Sequence, residues 1–107
     1  MKEIEEGNKL ILGFMGWYCL NEYARHAPSG IIEHYKESRY HRDWTLLMVV
    51  VEKIESLGFK FIIGGSDRVL VYNKDYDWRN GHTTDSLIEC VWHGSVEFIK
   101  WYNQQAK

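Results

Sequence analysis

Two segments of the sequence, residues 35–44 and 72–84, combine aromatic rings with arginine and hydrogen-bonding side chains, and each leads into a predicted helix. Rings stack on bases, and arginine forks onto phosphate or stacks on a base. A helix N-terminus adds unpaired backbone N–H groups that hold anions. The combination predicts a ligand-binding site of the nucleotide class. Its candidate residues are Arg39, Tyr40, Arg42, Trp78, Arg79, His82 and Thr83.

The alternative interpretation of both segments is structural. Each is then an ordinary surface loop whose rings anchor it to the fold, and the polar side chains are solvated. On that interpretation Trp78 pins its loop to a sheet, and the two segments need not meet in space.

Catalytic motifs are missing from the sequence. A nucleophile has to sit beside a base, and neither Cys19, in an apolar strand, nor Cys90, in a helix, lies in such a motif. No G-x-S-x-G occurs, and the glycine-rich turn at 64–66 lacks the lysine and the helix of a phosphate-binding loop. We therefore expect no catalytic residues and a protein that is not an enzyme.

Metal binding is also poorly supported. Cys90 and His93 share a helical face, but a structural zinc site needs two more ligands close by. The segment 75–81 resembles a calcium loop only loosely, because Arg79 takes the fifth position and Ser86 stands where a bidentate glutamate belongs. We expect neither a metal nor another cofactor.

Length and composition indicate one globular domain over residues 1–107. Apolar residues make up 45% of the chain and charged residues 26%, as in ordinary folded domains. The net charge is −2, so no global basic field attracts nucleic acid, and we expect no strong nucleic-acid binding. Aromatic residues reach 15%, which indicates either a core rich in rings or a stacking surface.

The cysteines and the hydropathy pattern bear on localisation. The two cysteines are far apart, and the acidic N-terminal segment has a helical pattern rather than that of a signal peptide. The longest apolar run, 46–51, is far too short to span a bilayer. These features predict a cytoplasmic protein with reduced thiols and no membrane partner.

Apolar periodicity predicts three helices and four strands. Asp43 is expected to cap the second helix and Thr84 the third, whereas Gly16 and Gly58 are expected to end the first two helices. The helices are predicted at 2–15, 44–57 and 85–104, the strands at 17–20, 31–35, 59–64 and 68–73, and loops at 21–30 and 74–83.

The predicted strands 59–64 and 68–73 are joined by a glycine-rich turn, which favours an antiparallel hairpin. Both carry apolar residues on two faces, so both faces are expected to need cover. The sequence therefore predicts an α/β/α sandwich around a small, mainly antiparallel sheet, with element order α-β-(β)-α-β-β-α.

Five segments of the chain resemble small uncharacterised proteins of phages and prophages that are described as having an ABA-sandwich domain. The segments are 8–11, 14–16, 40–44, 47–55 and 96–103. The resemblance implies an α/β/α layering and a phage or mobile-element source, and it brings no catalytic motif. Small phage accessory proteins often counter host defences, some by sequestering nucleotide signals, so the resemblance adds weight to that class by analogy.

Two functions remain open from the sequence. The first is a non-enzymatic ligand binder of phage or mobile-element origin, such as a nucleotide-signal sponge in the host cytoplasm. The second is a protein-interaction module, an inhibitor or adaptor of a host protein, that binds through the wide apolar face of the last helix. The same face predicts self-association, most simply as a homodimer. The residues of that face are Trp92, Phe98, Ile99, Trp101 and Tyr102.

Overall fold

The computed structural model describes residues 2–20, 23–26, 32–34, 38–64, 68–79 and 86–105. These ranges hold three helices and two three-stranded antiparallel sheets, so the predicted class, a mixed α/β sandwich with antiparallel strands, is confirmed. The elements in chain order are α1 (Lys2–Phe14), β1 (Trp17–Leu20), β2 (Tyr23–His26), β3 (Ile32–His34), α2 (Trp44–Ser56), β4 (Lys60–Gly64), β5 (Arg68–Asn73), β6 (Tyr76–Arg79) and α3 (Leu87–Gln105).

The ends of α2 lie where local chemistry places them. The carboxylate of Asp43 accepts a hydrogen bond from the backbone N–H of Leu46 at 3.2 Å, which satisfies one of the unpaired donors of the first turn. Gly58 follows the last turn at a φ of +95°, a conformation that costs glycine nothing. The β-branched run 49–51 lies inside this helix, because its 3.6-residue pattern buries Val50 and Val51.

The start of α3 differs from the prediction. The helix begins at Leu87, and Ser86 rather than Thr84 acts as the cap, since its hydroxyl oxygen accepts from the backbone N–H of Glu89 at 3.4 Å. The same hydroxyl donates to Oε1 of Glu89 at 2.8 Å. Ser-x-x-Glu is the spacing of a capping box, and here the carboxylate of Glu89 accepts from the serine hydroxyl. Thr84 and Asp85 lie outside the described residues.

The sheet formed by β4, β5 and β6 is a meander with one buried face. Phe61, Val71 and Trp78 are cross-strand partners on the face that packs against α2 and α3. On the opposite face, Ile62 is 47% exposed. The expectation that both faces are covered is therefore not met at Ile62, because the helices contact the inner side of this sheet.

Two strands occupy segments that were predicted to be loops. β2 lies within the predicted loop 21–30 and pairs with both β1 and β3. β6 lies within the predicted loop 74–83 and pairs with β5. In β6, Tyr76 and Trp78 are half-buried while Asp77 and Arg79 are exposed, which is a two-residue alternation. An alternation over only four residues is a weak strand signal, and the charged residues of this segment favoured a loop.

The core lies where the helices meet the second sheet. Ile11 of α1, Ile54 of α2 and Phe98 of α3 are fully buried in it. Edge-to-face ring contacts extend it, with ring centroids of Phe59 and Phe98 4.7 Å apart. The large aromatic fraction therefore fills this core to a considerable extent. Within the described ranges, no helix is long and apolar enough to cross a membrane.

Candidate functional site

A cleft of about 410 Å³ opens where the start of α1, the turn before α2 and the start of α3 come together. Its walls combine imidazole, guanidinium, carboxylate and apolar side chains. The described residues that line it are Glu3, Ile4, His41, Arg42, Ser86, Ile88, Glu89, Trp92 and His93.

The cleft rests on one buried amide, the side chain of Asn8, which is 1% exposed. The indole N–H of Trp92 donates to Oδ1 of Asn8 at 2.9 Å, and Nδ2 of Asn8 donates to the carbonyl oxygen of Ser38 at 3.1 Å. Nδ2 also lies 3.0 Å from Nδ1 of His41. These bonds tie α1 to α3 and to the turn, so they position both walls of the cleft.

Two helices approach each other closely beside the cleft. Gly7 of α1 lies against the ring of Trp92, and a Cβ at this position would come within 2.6 Å of Cη2. Only a residue without a side chain lets α1 approach α3 this closely. The indole of Trp92 is thereby fixed by packing on one side and by its hydrogen bond to Asn8 on the other.

Charges of both signs line the cleft. Arg42 is exposed, and the carboxylates of Glu3 and Glu89 lie on the other elements. Burial, followed by the nearby positive charge of Arg42, lowers the pKa of His41 below its ordinary value of 6.5. His41 is therefore neutral at physiological pH, and its neutral ring both donates and accepts hydrogen bonds.

The first predicted segment contributes to this cleft. Arg42 lines it, while Tyr40 is buried at 8% exposure and packs in the core. Arg39 is exposed in the same turn, where its carbonyl oxygen accepts from the backbone N–H of Arg42 at 3.0 Å. Of these three predicted residues, one reaches the cleft, one supports the core and one faces solvent.

The second predicted segment lies elsewhere. Trp78 is half-buried against α3, where a Cβ on Gly94 would lie 3.0 Å from its ring. Arg79 is exposed on the open face of the second sheet, and its Nε lies 3.4 Å from a carboxylate oxygen of Asp77. The structure does not bring Trp78 or Arg79 into the cleft, and it places Trp78 as the anchor that the structural alternative describes.

His82 and Thr83, the other two predicted site residues, lie outside the described part of the chain. The described segment that ends at Arg79 and the one that resumes at Ser86 flank them. Because Ser86 lines the cleft, α3 begins at the site although the strand before it does not reach it.

Eight of the nine described residues that line the cleft were not among the predicted site residues, and the sequence carried a signal for three of them. The Ser-x-x-Glu spacing of Ser86 and Glu89 marks a helix start, and the position of His41 beside Arg42 falls inside the first segment. Nothing local pointed to Trp92, whose role depends on Asn8, 84 positions away.

Two other depressions have different linings. A larger one of about 650 Å³ between α1 and the end of α3 has no arginine or histidine among its described lining residues. Another, of about 580 Å³, lies on the open sheet face between Arg68 and Arg79 over Ile62 and Leu70. Among the described side chains, no group of three or more His, Cys, Asp or Glu is placed to hold a metal ion.

No protein-family model matches this sequence, and comparisons with curated proteins and with solved structures give no significant match. The resemblance to phage ABA-sandwich proteins therefore stays a prediction from the sequence. The inference about function has to come from the chemistry of the cleft.

Proposed function

We propose that this protein is a non-enzymatic binder of a small ligand of the nucleotide class, one that carries both a ring and an anionic group. The observation that carries the proposal is the convergence of Arg42, two imidazoles and the first turn of α3 on one cleft. The volume of about 410 Å³ lies within the range of small-molecule sites, roughly 300–1,000 Å³.

The cleft offers different partners to the two parts of such a ligand. Ile4 and Ile88, both half-buried, provide apolar surface against which a ring can pack. The guanidinium of Arg42 forms charge-assisted hydrogen bonds to a phosphate. Glu3 and Glu89 add acceptors for the amino or ring N–H groups of a base, which a site for a bare inorganic anion would not need.

Binding without reaction agrees with the hydrogen bonding around the hydroxyl of the cleft. Ser86 accepts from the backbone N–H of Glu89, which caps α3, and its hydroxyl donates to the carboxylate of the same residue. Cys90 is buried at 1% exposure, and Cys90 is not among the residues that line the cleft. We propose no catalytic role for Ser86, because both hydrogen bonds of its hydroxyl lie within the first turn of α3.

The biological setting of this proposal follows the sequence resemblance. A phage or mobile-element protein that holds a nucleotide without consuming it would lower the free concentration of a host signal in the cytoplasm. Such sequestration requires affinity and abundance but no catalytic group. This role and the cytoplasmic location are part of the proposal.

The test is a binding titration with matched arginine variants. A panel of mono-, di- and cyclic nucleotides is screened by thermal shift, and the best one is titrated by calorimetry into wild type, Arg42→Ala and Arg79→Ala. Each variant removes one exposed guanidinium, but only Arg42 lies in the cleft. We expect Arg42→Ala to weaken binding at least about tenfold, since a charged hydrogen bond contributes ~1.5–3 kcal/mol.

The control in this pair also tests the site predicted from the sequence. Arg79→Ala is expected to leave the affinity unchanged. Equal losses in both variants, or a loss in Arg79→Ala alone, would contradict the cleft as the binding site. The absence of binding by any nucleotide in the panel would refute the proposed function.

The alternative function, a module that binds a host protein, has a different basis in the structure than in the sequence. Trp92, Phe98 and Ile99 are buried within the single chain, so they are not a free surface of α3. Exposed apolar side chains lie on α2 instead, with Trp44 40% exposed and Val49 47% exposed. Capture of a host protein that is lost in Trp44→Ala, together with no thermal stabilisation by nucleotides, would favour this alternative. Self-association stays a prediction, and light scattering would test it.

A further inference from the structure

The buried amide of Asn8 has only one orientation that satisfies its neighbours. The indole N–H of Trp92 can donate but not accept, so the Asn8 atom 2.9 Å from it has to be the oxygen. The carbonyl oxygen of Ser38 can accept but not donate, so the atom 3.1 Å from it has to be the nitrogen. A group that can only donate and a group that can only accept therefore fix the two ends of the amide.

This orientation determines the tautomer of His41. The amide nitrogen of Asn8 lies 3.0 Å from Nδ1 of His41, and an amide nitrogen only donates. Nδ1 therefore accepts and carries no proton, which leaves the ring proton on Nε2. A second proton on Nδ1 would bring two donors face to face in a partly buried contact, so the arrangement also opposes the cationic form of the ring.

We infer that Asn8 holds His41 as a neutral Nε2–H donor in the cleft wall, and that the cleft therefore selects bases with a carbonyl beside an N–H, as in guanine. The inference rests on the proposed function, and it names the ligand class of the same site. A guanine edge presents an acceptor, O6, next to two donors. An adenine edge presents a donor at N6, which would face the N–H of His41 without a partner.

The carboxylates of the cleft complete this pattern. Glu3 on α1 and Glu89 on α3 accept the N–H donors of a guanine edge, whereas the ring nitrogen of adenine is an acceptor and would face them unfavourably. The charged and titratable groups that line the cleft with His41 are Glu3 from α1, Arg42 from the turn, and Glu89 and His93 from α3, and the positive N-terminal amine acts on His41 as well. Arg42 opposes protonation of the ring, and burial acts in the same direction.

The first experiment reads the tautomer without any ligand. Long-range ¹H–¹⁵N spectra of the uniformly labelled protein assign the protonated nitrogen of His41 at neutral pH. We expect the Nε2–H form, and the Nδ1–H form or a cationic ring would overturn the inference. In Asn8→Asp, the carboxylate accepts from Trp92 and from Nδ1–H, so the proton is expected to move to Nδ1 and the pKa of His41 to rise. Because wild type alone decides the tautomer, failure of this variant to fold leaves the test intact.

The second experiment measures base selection with guanosine and adenosine monophosphates. Wild type is expected to bind the guanine nucleotide at least about tenfold more tightly, since an unpaired buried donor costs about that factor or more. His41→Leu should reduce the preference to within about threefold, whereas His41→Gln, whose side chain again offers an N–H, should retain part of it. Arg79→Ala, outside the cleft, should keep the full preference.

The outcomes separate the inference from the proposed function. Binding of both nucleotides with equal affinity overturns the base selection and leaves nucleotide binding in place. A preference for adenine, or a guanine preference that survives in His41→Leu, overturns the role of His41. No binding of either nucleotide, together with none across the wider panel, overturns the proposed function and the base selection with it.

Discussion

Replacement of Gly7 by alanine tests the close approach of α1 and α3 that builds the cleft. A Cβ at this position would lie 2.6 Å from Cη2 of Trp92, closer still to Cζ2, and 3.2 Å from Cγ2 of Val96. Carbon atoms in contact are normally about 3.5–4.0 Å apart, so either the helices separate or the indole moves. The indole cannot move freely, because its N–H donates to the buried oxygen of Asn8.

Two destabilising effects and one stabilising effect determine the change in the free energy of unfolding. Inserting a methyl group into a packed interface costs ~1–3 kcal/mol. Weakening the Trp92–Asn8 hydrogen bond adds roughly 1 kcal/mol, whereas alanine gains about 1 kcal/mol over glycine as a helix former. We therefore expect Gly7→Ala to lower the free energy of unfolding by about 1–3 kcal/mol, which corresponds to a fall in Tm of roughly 4–20 °C for a domain of this size.

The same helix supplies the control. Gly13 is exposed on α1, and a Cβ there would have no neighbour within 4 Å. Gly13→Ala is therefore expected to stabilise the protein by up to ~1 kcal/mol through helix propensity alone. Urea denaturation followed by far-ultraviolet circular dichroism measures both variants, with the midpoint and the m-value fitted separately.

Comparison of the two variants tests whether α1 and α3 are in close contact at Gly7. If Gly7→Ala is as stable as wild type or more stable while Gly13→Ala gains stability, α1 and α3 are not in the contact described. If the two helices are in contact at Gly7, stability falls in Gly7→Ala and does not fall in Gly13→Ala.

The remaining predictions concern three polar side chains that are wholly or partly buried. The hydroxyl of Ser38 is buried without a hydrogen-bond partner, so Ser38→Ala is expected to be neutral or stabilising by up to ~1 kcal/mol in urea denaturation, and a clear loss would show that the hydroxyl is bonded. Burial and the charge of Glu97 raise the pKa of Tyr76 to about 12, so an ultraviolet titration should show a late ionisation that Tyr76→Phe lacks. Because that pKa exceeds the ordinary value of 10.0, the unfolded chain loses the proton first, and the folded state should lose stability as pH rises from about 10 to about 12, relative to the phenylalanine variant. For His41 the pKa in the folded state lies below 6.5, so the unfolded chain takes up the proton first and stability should fall as pH drops below that value; His41→Leu should lose less over the same interval, and identical losses would contradict the argument.

The helices were predictable from the sequence because local interactions determine them. The apolar spacing of α2, its cap at Asp43 and its end at Gly58 all involve residues within a few positions of one another. Such signals act along the chain in the same way whatever the rest of the fold does. Even the wrong cap of α3 was displaced by only two positions, from Thr84 to Ser86.

Strands β2 and β6 could not be predicted in the same way, because a strand is stabilised by its partner. Tyr76 and Trp78 reach the core only because β6 pairs with β5, in the register Val71 to Trp78. Read alone, the charged residues between these rings favoured a loop. Cross-strand pairing is a property of two segments, so the shorter of them carries little signal by itself.

The sequence by itself determined which residues could recognise a ligand, and the tertiary structure decided which of them meet. Arg42 was identifiable from its local pattern, but Trp78 has the same ring character and anchors a sheet. The polar network of the cleft joins Asn8 to residues 30, 33 and 84 positions away. These hydrogen bonds form only when α1 and α3 pack together. Burial makes an unpaired donor or acceptor costly, and this cost is what leaves the Asn8 amide with a single favourable orientation.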